Sequence, residues 1–248
     1  MRTTAMQATI GWVVGLLASL ALMSSAVAES DSVPQPFVAT YSVSYRGIGA
    51  GTIKFKFTRD PSTGHYIYET HADPSALARL FVSRAALERS VMEIGPEGVR
   101  PLEWHLDDGK SGDAGDGSLT FDWANNKVTG TIEGEPVNLP TEPGLQDRSS
   151  IQMAVTTLLL RGIDPGTVPL IDDNRIKRYT YSRKENASMD SALGRLDTVV
   201  YESTREGSSR LSRFWMVPSL EYVPARAEQV RKGKVETVMV LTALERGS

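Results

Sequence analysis

The chain has three histidines, His65, His71 and His105, and no cysteine. Zinc binding or imidazole general-base chemistry would begin with those three side chains. His65 and His71 are six residues apart with Asp73 close by, so on one extended strand they face the same way. At about 3.3 Å per residue they stand about 20 Å apart, too far to bond one ion at about 2 Å each. His105 lies beside Asp107 and Asp108 and reads as a strand residue at the mouth of a loop. That loop, Asp107 to Gly117, is rich in Asp and Gly and invites a calcium test. Counting from Asp108, the third position is Lys110 and the fifth is Gly112, where an EF-hand needs acidic or amide oxygens. A solvated hairpin tip is the simpler reading. No G-x-S-x-G elbow, P-loop, G-x-G-x-x-G or H-E-x-x-H occurs. Gly47-Ile48-Gly49-Ala50-Gly51 is glycine-rich, but it joins two strands and opens no helix, which a phosphate cradle requires. Carboxylates are plentiful, yet none is singled out as an acid–base pair. No catalytic residue, metal site or cofactor is assigned.

The N-terminus says where the rest must work. Arg2 is followed by an almost wholly apolar run from Ile10 to Met23, then by Ser24, Ser25 and Ala26-Val27-Ala28. This is the pattern of a secretory signal peptide, residues 1–28, with cleavage expected after Ala28. The run is short for a permanent bilayer span, so the mature chain is expected to carry no integral membrane segment. An uncleaved anchor is the alternative. With no cysteine, lipid attachment behind the leader and disulfides are both excluded. Without Arg2, 26 basic side chains face 30 acidic ones, a net charge of −4. That gives no footprint for nucleic acid. The expected location is the bacterial periplasm, as a soluble protein.

Residues 29–36 are polar with two prolines and read as a disordered lead-in. Residues 37–246 read as a single β-rich domain. Phe37, Ala39, Tyr41, Val43 and Tyr45 alternate with polar neighbours, as do Ile53, Phe55 and Phe57. Turn signals such as Asp60-Pro61-Ser62-Thr63-Gly64 and Gly95-Pro96-Glu97-Gly98 separate further strands. Pro74 to Val82 fits a short helix or a strand edge equally well. One segment changes period. Ser149-Ser150-Ile151-Gln152 reads as a capping box, with Ser149 as cap, Gln152 reaching back and Asp147 a competing cap. A helix of about 13 residues follows, apolar nearly all round, with Gly162 closing it. Such a helix is buried on most faces, and Leu158 is expected among Ile151, Ala154 and Val155.

Several short motifs carry a resemblance. They are Phe37-Val38-Ala39-Thr40-Tyr41, Asp147-Arg148-Ser149-Ser150, Phe214-Trp215-Met216-Val217-Pro218 and Tyr222-Val223-Pro224-Ala225-Arg226. Together they resemble the bacterial exported family called domain of unknown function 3108, over about residues 37–244. The family implies no activity. It marks Asp147, Ser149, Trp215 and Pro224 as structural positions.

The expected fold is mainly β: a curved antiparallel sheet or unclosed barrel wrapped around a central helix. That architecture is similar to the periplasmic lipoprotein carriers. One helix covers only a few strands, so part of the concave face is left for something else. Tyr41, Val43, Phe55, Phe57, Leu158, Val199 and Tyr201 are the candidate ligand-binding residues, with Ile53, Val238 and Val240 on the same expected face. The function expected is a non-enzymatic envelope module that binds a lipid, another apolar ligand or a partner protein. The alternatives are a scaffold whose interior is filled, and a carboxylate-based hydrolase of envelope polymer.

Overall fold

A computed structural model describes residues 33–75, 86–109 and 115–247. The leader, its cleavage site and most of Pro74–Val82 lie outside the described residues. Fourteen strands form one antiparallel sheet with a single α-helix among the described residues. The first half runs β1 (Phe37–Tyr45), β2 (Ile48–Arg59), β3 (Tyr66–Pro74), β4 (Ala86–Gly95), β5 (Gly98–Asp107), β6 (Gly117–Asp122), β7 (Lys127–Ile132) and β8 (Glu135–Leu139). Then come α1 (Ser150–Leu160), β9 (Thr167–Asp172), β10 (Arg175–Ser191), β11 (Gly194–Arg205), β12 (Arg210–Val217), β13 (Val223–Arg231) and β14 (Lys234–Arg246).

Each half is a meander. The halves join because β1 pairs with β14, bringing the two ends of the described chain to the middle of the sheet. The edges are β8 and β9, and α1 lies in the connection between them. The barrel is therefore unclosed, and the helix-bearing segment enters at the gap. Gln146 binds β9 in parallel register: its N–H donates to the Pro169 carbonyl at 2.9 Å and its carbonyl accepts from Ile171 at 2.9 Å. The last residues of the expected lead-in are held against the sheet. Pro34 is buried, the Gln35 N–H donates to Glu221, and the Pro36 carbonyl accepts from Gly247.

Alternation explains which side chains face inward. On β1, Phe37, Ala39 and Tyr41 are buried, and their partners on β14 include Leu244 and Leu241. Val238 and Val240 therefore point away from the helix, opposite the expectation, and it is Met239 and Leu241 that share the face of Tyr41. The glycine-rich segment resolves into a hairpin and a bulge. Arg46-Gly47 forms the turn, and Ala50 is extra between the Ser44–Gly49 and Val43–Gly51 pairs. Gly51 has φ +135°, and a Cβ there would fall 2.2 Å from the Asp73 carbonyl oxygen.

Three large apolar clusters form most of the core, beside a small fourth of Leu196, Val217 and Ala225. Trp104, Leu119, Phe121, Val128, Ile132 and Val137 pack with Leu145 and Ile171, so the β5–β8 end curls upon itself. Met153 and Ala154 of α1 pack with Phe37, Tyr41, Phe57 and Tyr68 on one side. Ile151, Val155 and Leu159 pack with Val168, Leu170, Tyr201 and Met216 on the other. A helix pressed between two halves of one sheet needs apolar residues all round, and α1 has them. Leu158 departs from the expectation. It is only half-buried, because the last turn of α1 reaches the rim, where Arg161 donates to the Gly95 and Pro96 carbonyls.

Candidate functional site

Between α1 and the middle of the sheet the packing leaves a cavity of about 120 Å³. Its wall is Phe37, Ala39, Tyr41, Phe55 and Tyr68 from β1–β3, Phe214, Met216, Val223, Pro224, Ala227 and Met239 from β12–β14, and Gln152, Met153 and Thr156 from α1. The aromatic side is rigid. Phe55 stacks on Tyr68 at 5.8 Å, Tyr41 meets Phe55 edge-on at 5.4 Å, and Phe37 meets Tyr68 edge-on at 6.5 Å. The Tyr41 hydroxyl donates to the Pro224 carbonyl at 2.8 Å, which ties β1 to β13 across the wall. Burial pushes the Tyr41 and Tyr68 phenols well above their usual range, so both stay neutral. Apart from Gln152, Thr156 and the phenol groups of Tyr41 and Tyr68, the wall is built from apolar side chains.

Next to this cavity the start of α1 is built on a buried carboxylate. Asp147 is fully buried. Its Oδ1 accepts the N–H groups of Ser149 at 2.8 Å and Ser150 at 2.7 Å, and its Oδ2 accepts the hydroxyl of Ser90 on β4 at 2.7 Å. The Asp147 N–H donates in turn to Ser150 Oγ at 2.9 Å. This is a reciprocal cap two residues ahead of the expected one. Ser149 already has helical angles (φ −96°, ψ −45°), its hydroxyl makes no cap bond, and its Oγ is buried without a partner. The capping box of Ser149 and Gln152 is thus replaced by Asp147 and Ser150, and Gln152 turns to the cavity. The other end follows the expectation. Gly162, at φ +71°, and Ile163 return their N–H groups to Leu159 and Leu158.

Burial raises the Asp147 carboxyl to about 6 against three hydrogen bonds that lower it, and Glu88 nearby adds to the rise. Glu88 is half-buried and accepts the Trp104 indole N–H at 2.7 Å. The two acids are thus committed to a cap and an indole, and Asp147 is closed to solvent.

Of the seven residues expected on the ligand face, Tyr41 and Phe55 line the cavity. Phe57 is fully buried behind them, stacked on Tyr66 at 5.4 Å. Val43 shares the face of Tyr41 nearer the sheet's end and is half-buried. Val199 and Tyr201 belong to the cluster on the far side of α1, where the Tyr201 hydroxyl donates to Asp164. Leu158 sits at the rim. Phe214, Met216, Met239 and Ala227 were missed as wall residues. Their alternation was visible in the sequence, but nothing there showed that β1 and β14 would be neighbours. Among the structural positions, Trp215 faces outward with the guanidinium groups of Arg213 and Arg226 5.8 and 5.5 Å from its ring centre. Pro224 stands at a bulge opposite Met216.

The histidines stay apart from this site. His65 lies in the β2–β3 turn, 3.6 Å from Glu93, and His71 is exposed on β3. Among the described residues, Asp107, Asp108 and Asp116 bring their carboxylates within 4.8 Å of one another at the base of the acidic loop, whose residues 110–114 lie outside the described residues. No described helix is long and apolar enough to cross a membrane.

Comparison with known proteins agrees with this architecture. A family model described as a protein of unknown function, DUF3108, matches residues 40–240. No curated protein matches the sequence. Among solved structures, a β-barrel-like protein of domain of unknown function DUF1849 from Brucella abortus superposes with a TM-score of 0.53 at 10% identity. It covers 87% of this chain and 99% of its own. A candidate lipoprotein from Parabacteroides distasonis aligns at TM-score 0.38 and 11% identity, covering 86% and 98% of the two chains. At such identity the likeness to the Brucella protein shows the fold alone.

Proposed function

This chain belongs to the DUF3108 family of proteins of unknown function, and on that premise we propose that it is a periplasmic envelope module that holds an apolar chain against its helix. One observation carries the reading: the aromatic-walled cavity between α1 and the central strands. An engineered apolar cavity of about 150 Å³ stays dry and takes up benzene, so a cavity near that size binds hydrocarbon without polar help. The volume here suits the end of one acyl chain, with the remainder leaving past Gln152 and Thr156. The charged leader and the Ala26-Val27-Ala28 triplet support export.

The test is native mass spectrometry of protein purified without detergent, followed by organic extraction. The expected result is co-purifying lipid or fatty acid near one per chain, absent from Ala227→Phe, in which the new ring fills the cavity. Ligand-free protein that also takes up no fatty acid or hydrophobic dye would leave a filled scaffold as the better account.

A further inference from the structure

Two hairpins turn side by side at one end of the sheet, because β1 pairs with β14. Each has a two-residue loop with both residues at positive φ: Arg46-Gly47 (49° and 82°) and Lys232-Gly233 (49° and 74°). Asn or Asp is the residue that such a loop favours at its first position. A long basic side chain stands there in both, in a conformation that L-residues adopt at a cost. The surroundings are basic as well. Arg231 and Lys234 flank the second tip, and both are exposed. The Lys232 N–H donates to the Ser209 carbonyl, which brings the β11–β12 turn and exposed Arg210 alongside. Two acids share this end, Glu236, which Arg46 holds at 2.7 Å, and exposed Glu206 in the β11–β12 turn, against the five basic residues Arg46, Arg210, Arg231, Lys232 and Lys234. This concentration of positive charge occurs on a chain whose total is −3.

The same tips carry apolar groups into solvent. Tyr45 is 47% exposed, Ile48 60% and Val235 45%. These are three of the five large apolar side chains that are exposed among the described residues. The Arg46 guanidinium lies 5.1 Å from the Tyr45 ring centre, so cation and ring project together. Basic groups interleaved with an aromatic and two aliphatic side chains on protruding turns match the bilayer interface, where headgroup charge and acyl boundary lie within a few ångströms of each other. An acidic protein would instead need a broad matched surface, and these tips protrude.

We propose that the paired tips of the β1–β2 and β13–β14 hairpins dock this protein on an anionic bilayer surface. Lys and Arg supply the attraction, and Tyr45, Ile48 and Val235 enter the interface. The inference does not depend on the cavity being occupied.

The experiment is co-sedimentation of the purified full chain with vesicles of phosphatidylcholine alone or mixed with phosphatidylglycerol. Variants are Arg231→Gln/Lys232→Asn/Lys234→Gln and, separately, Ile48→Ser/Val235→Ser. Asn keeps the left-handed tip, and thermal melts report whether each variant folds. Binding to the anionic vesicles is expected, at least tenfold above neutral ones, weakening with salt. The charge variant should lose about a hundredfold and the apolar variant about tenfold. Equal binding to both vesicle types, or a charge variant that binds like the parent, overturns the proposal. An apolar variant that binds like the parent overturns the insertion and leaves only attraction at a distance. A fatty-acid-free protein that still sediments would separate this result from failure of the cavity reading.

Discussion

At Asp147, capping and burial act on one carboxyl in opposite directions. Two backbone N–H groups and the Ser90 hydroxyl favour the anion, and loss of solvent favours the acid. Burial wins, and the carboxyl titrates near 6 in the folded state against an ordinary value of 3.8. The raised value fixes the sign: the folded state holds the proton more tightly, so stabilisation from this group is complete below about pH 4. It declines as pH rises towards 6 and is gone above it, a span of about 3 kcal/mol at about 1.4 kcal/mol per unit. Urea denaturation across that range should show the decline in the parent and a flatter curve in Asp147→Asn. Matching curves would mean that Asp147 does not titrate as its burial requires. The neighbouring serine gives a second contrast. Asp147→Ala removes the acceptor for two buried N–H groups and should cost about 3 kcal/mol. Ser149→Ala removes only an unpartnered hydroxyl and should change stability by less than about 0.5 kcal/mol. Equal losses at the two positions would restore Ser149 as the cap.

The helix as an element was plain in the sequence, and its orientation was not. An apolar stretch without a polar face has no periodicity to say which side meets which strands. The wheel puts Leu158 in the middle of the Ile151–Val155 face, yet the last turn lies at the rim and Leu159 is the residue pressed into the core. Thermal or urea unfolding should give a loss of about 2–4 kcal/mol for Leu159→Ala and about half of that or less for Leu158→Ala. The reverse order would mean that α1 is rotated relative to the sheet. Strand β14 posed the same ambiguity. Val238, Met239, Val240 and Leu241 are apolar on both faces, and alternation cannot choose between them. Tyr41 decides, since Leu241 is its partner across the ladder.

For the molecule as a whole, the pairing of β1 with β14 holds the two meanders together. It links residues about two hundred positions apart and completes the wall of the cavity. A chain ended before Lys234 loses that partner and uncovers Phe37, Ala39 and Tyr41. It should show no cooperative thermal transition by circular dichroism, and a transition like that of the intact chain would place the core elsewhere. The sequence by itself determined the strand content, the one buried helix among the described residues, its glycine stop and the turns. Each of these follows from residue type and spacing within a few positions, where steric and hydrogen-bonding preferences act. The curved sheet wrapped round a helix followed too, since one all-round apolar helix among amphipathic strands has few places to go. Tertiary structure alone decided that the chain ends meet, that Asp147 and not Ser149 caps α1, and which wall residues from β12–β14 face Tyr41 and Phe55. Those outcomes depend on contacts between distant segments, and register across such distances leaves no trace in local periodicity.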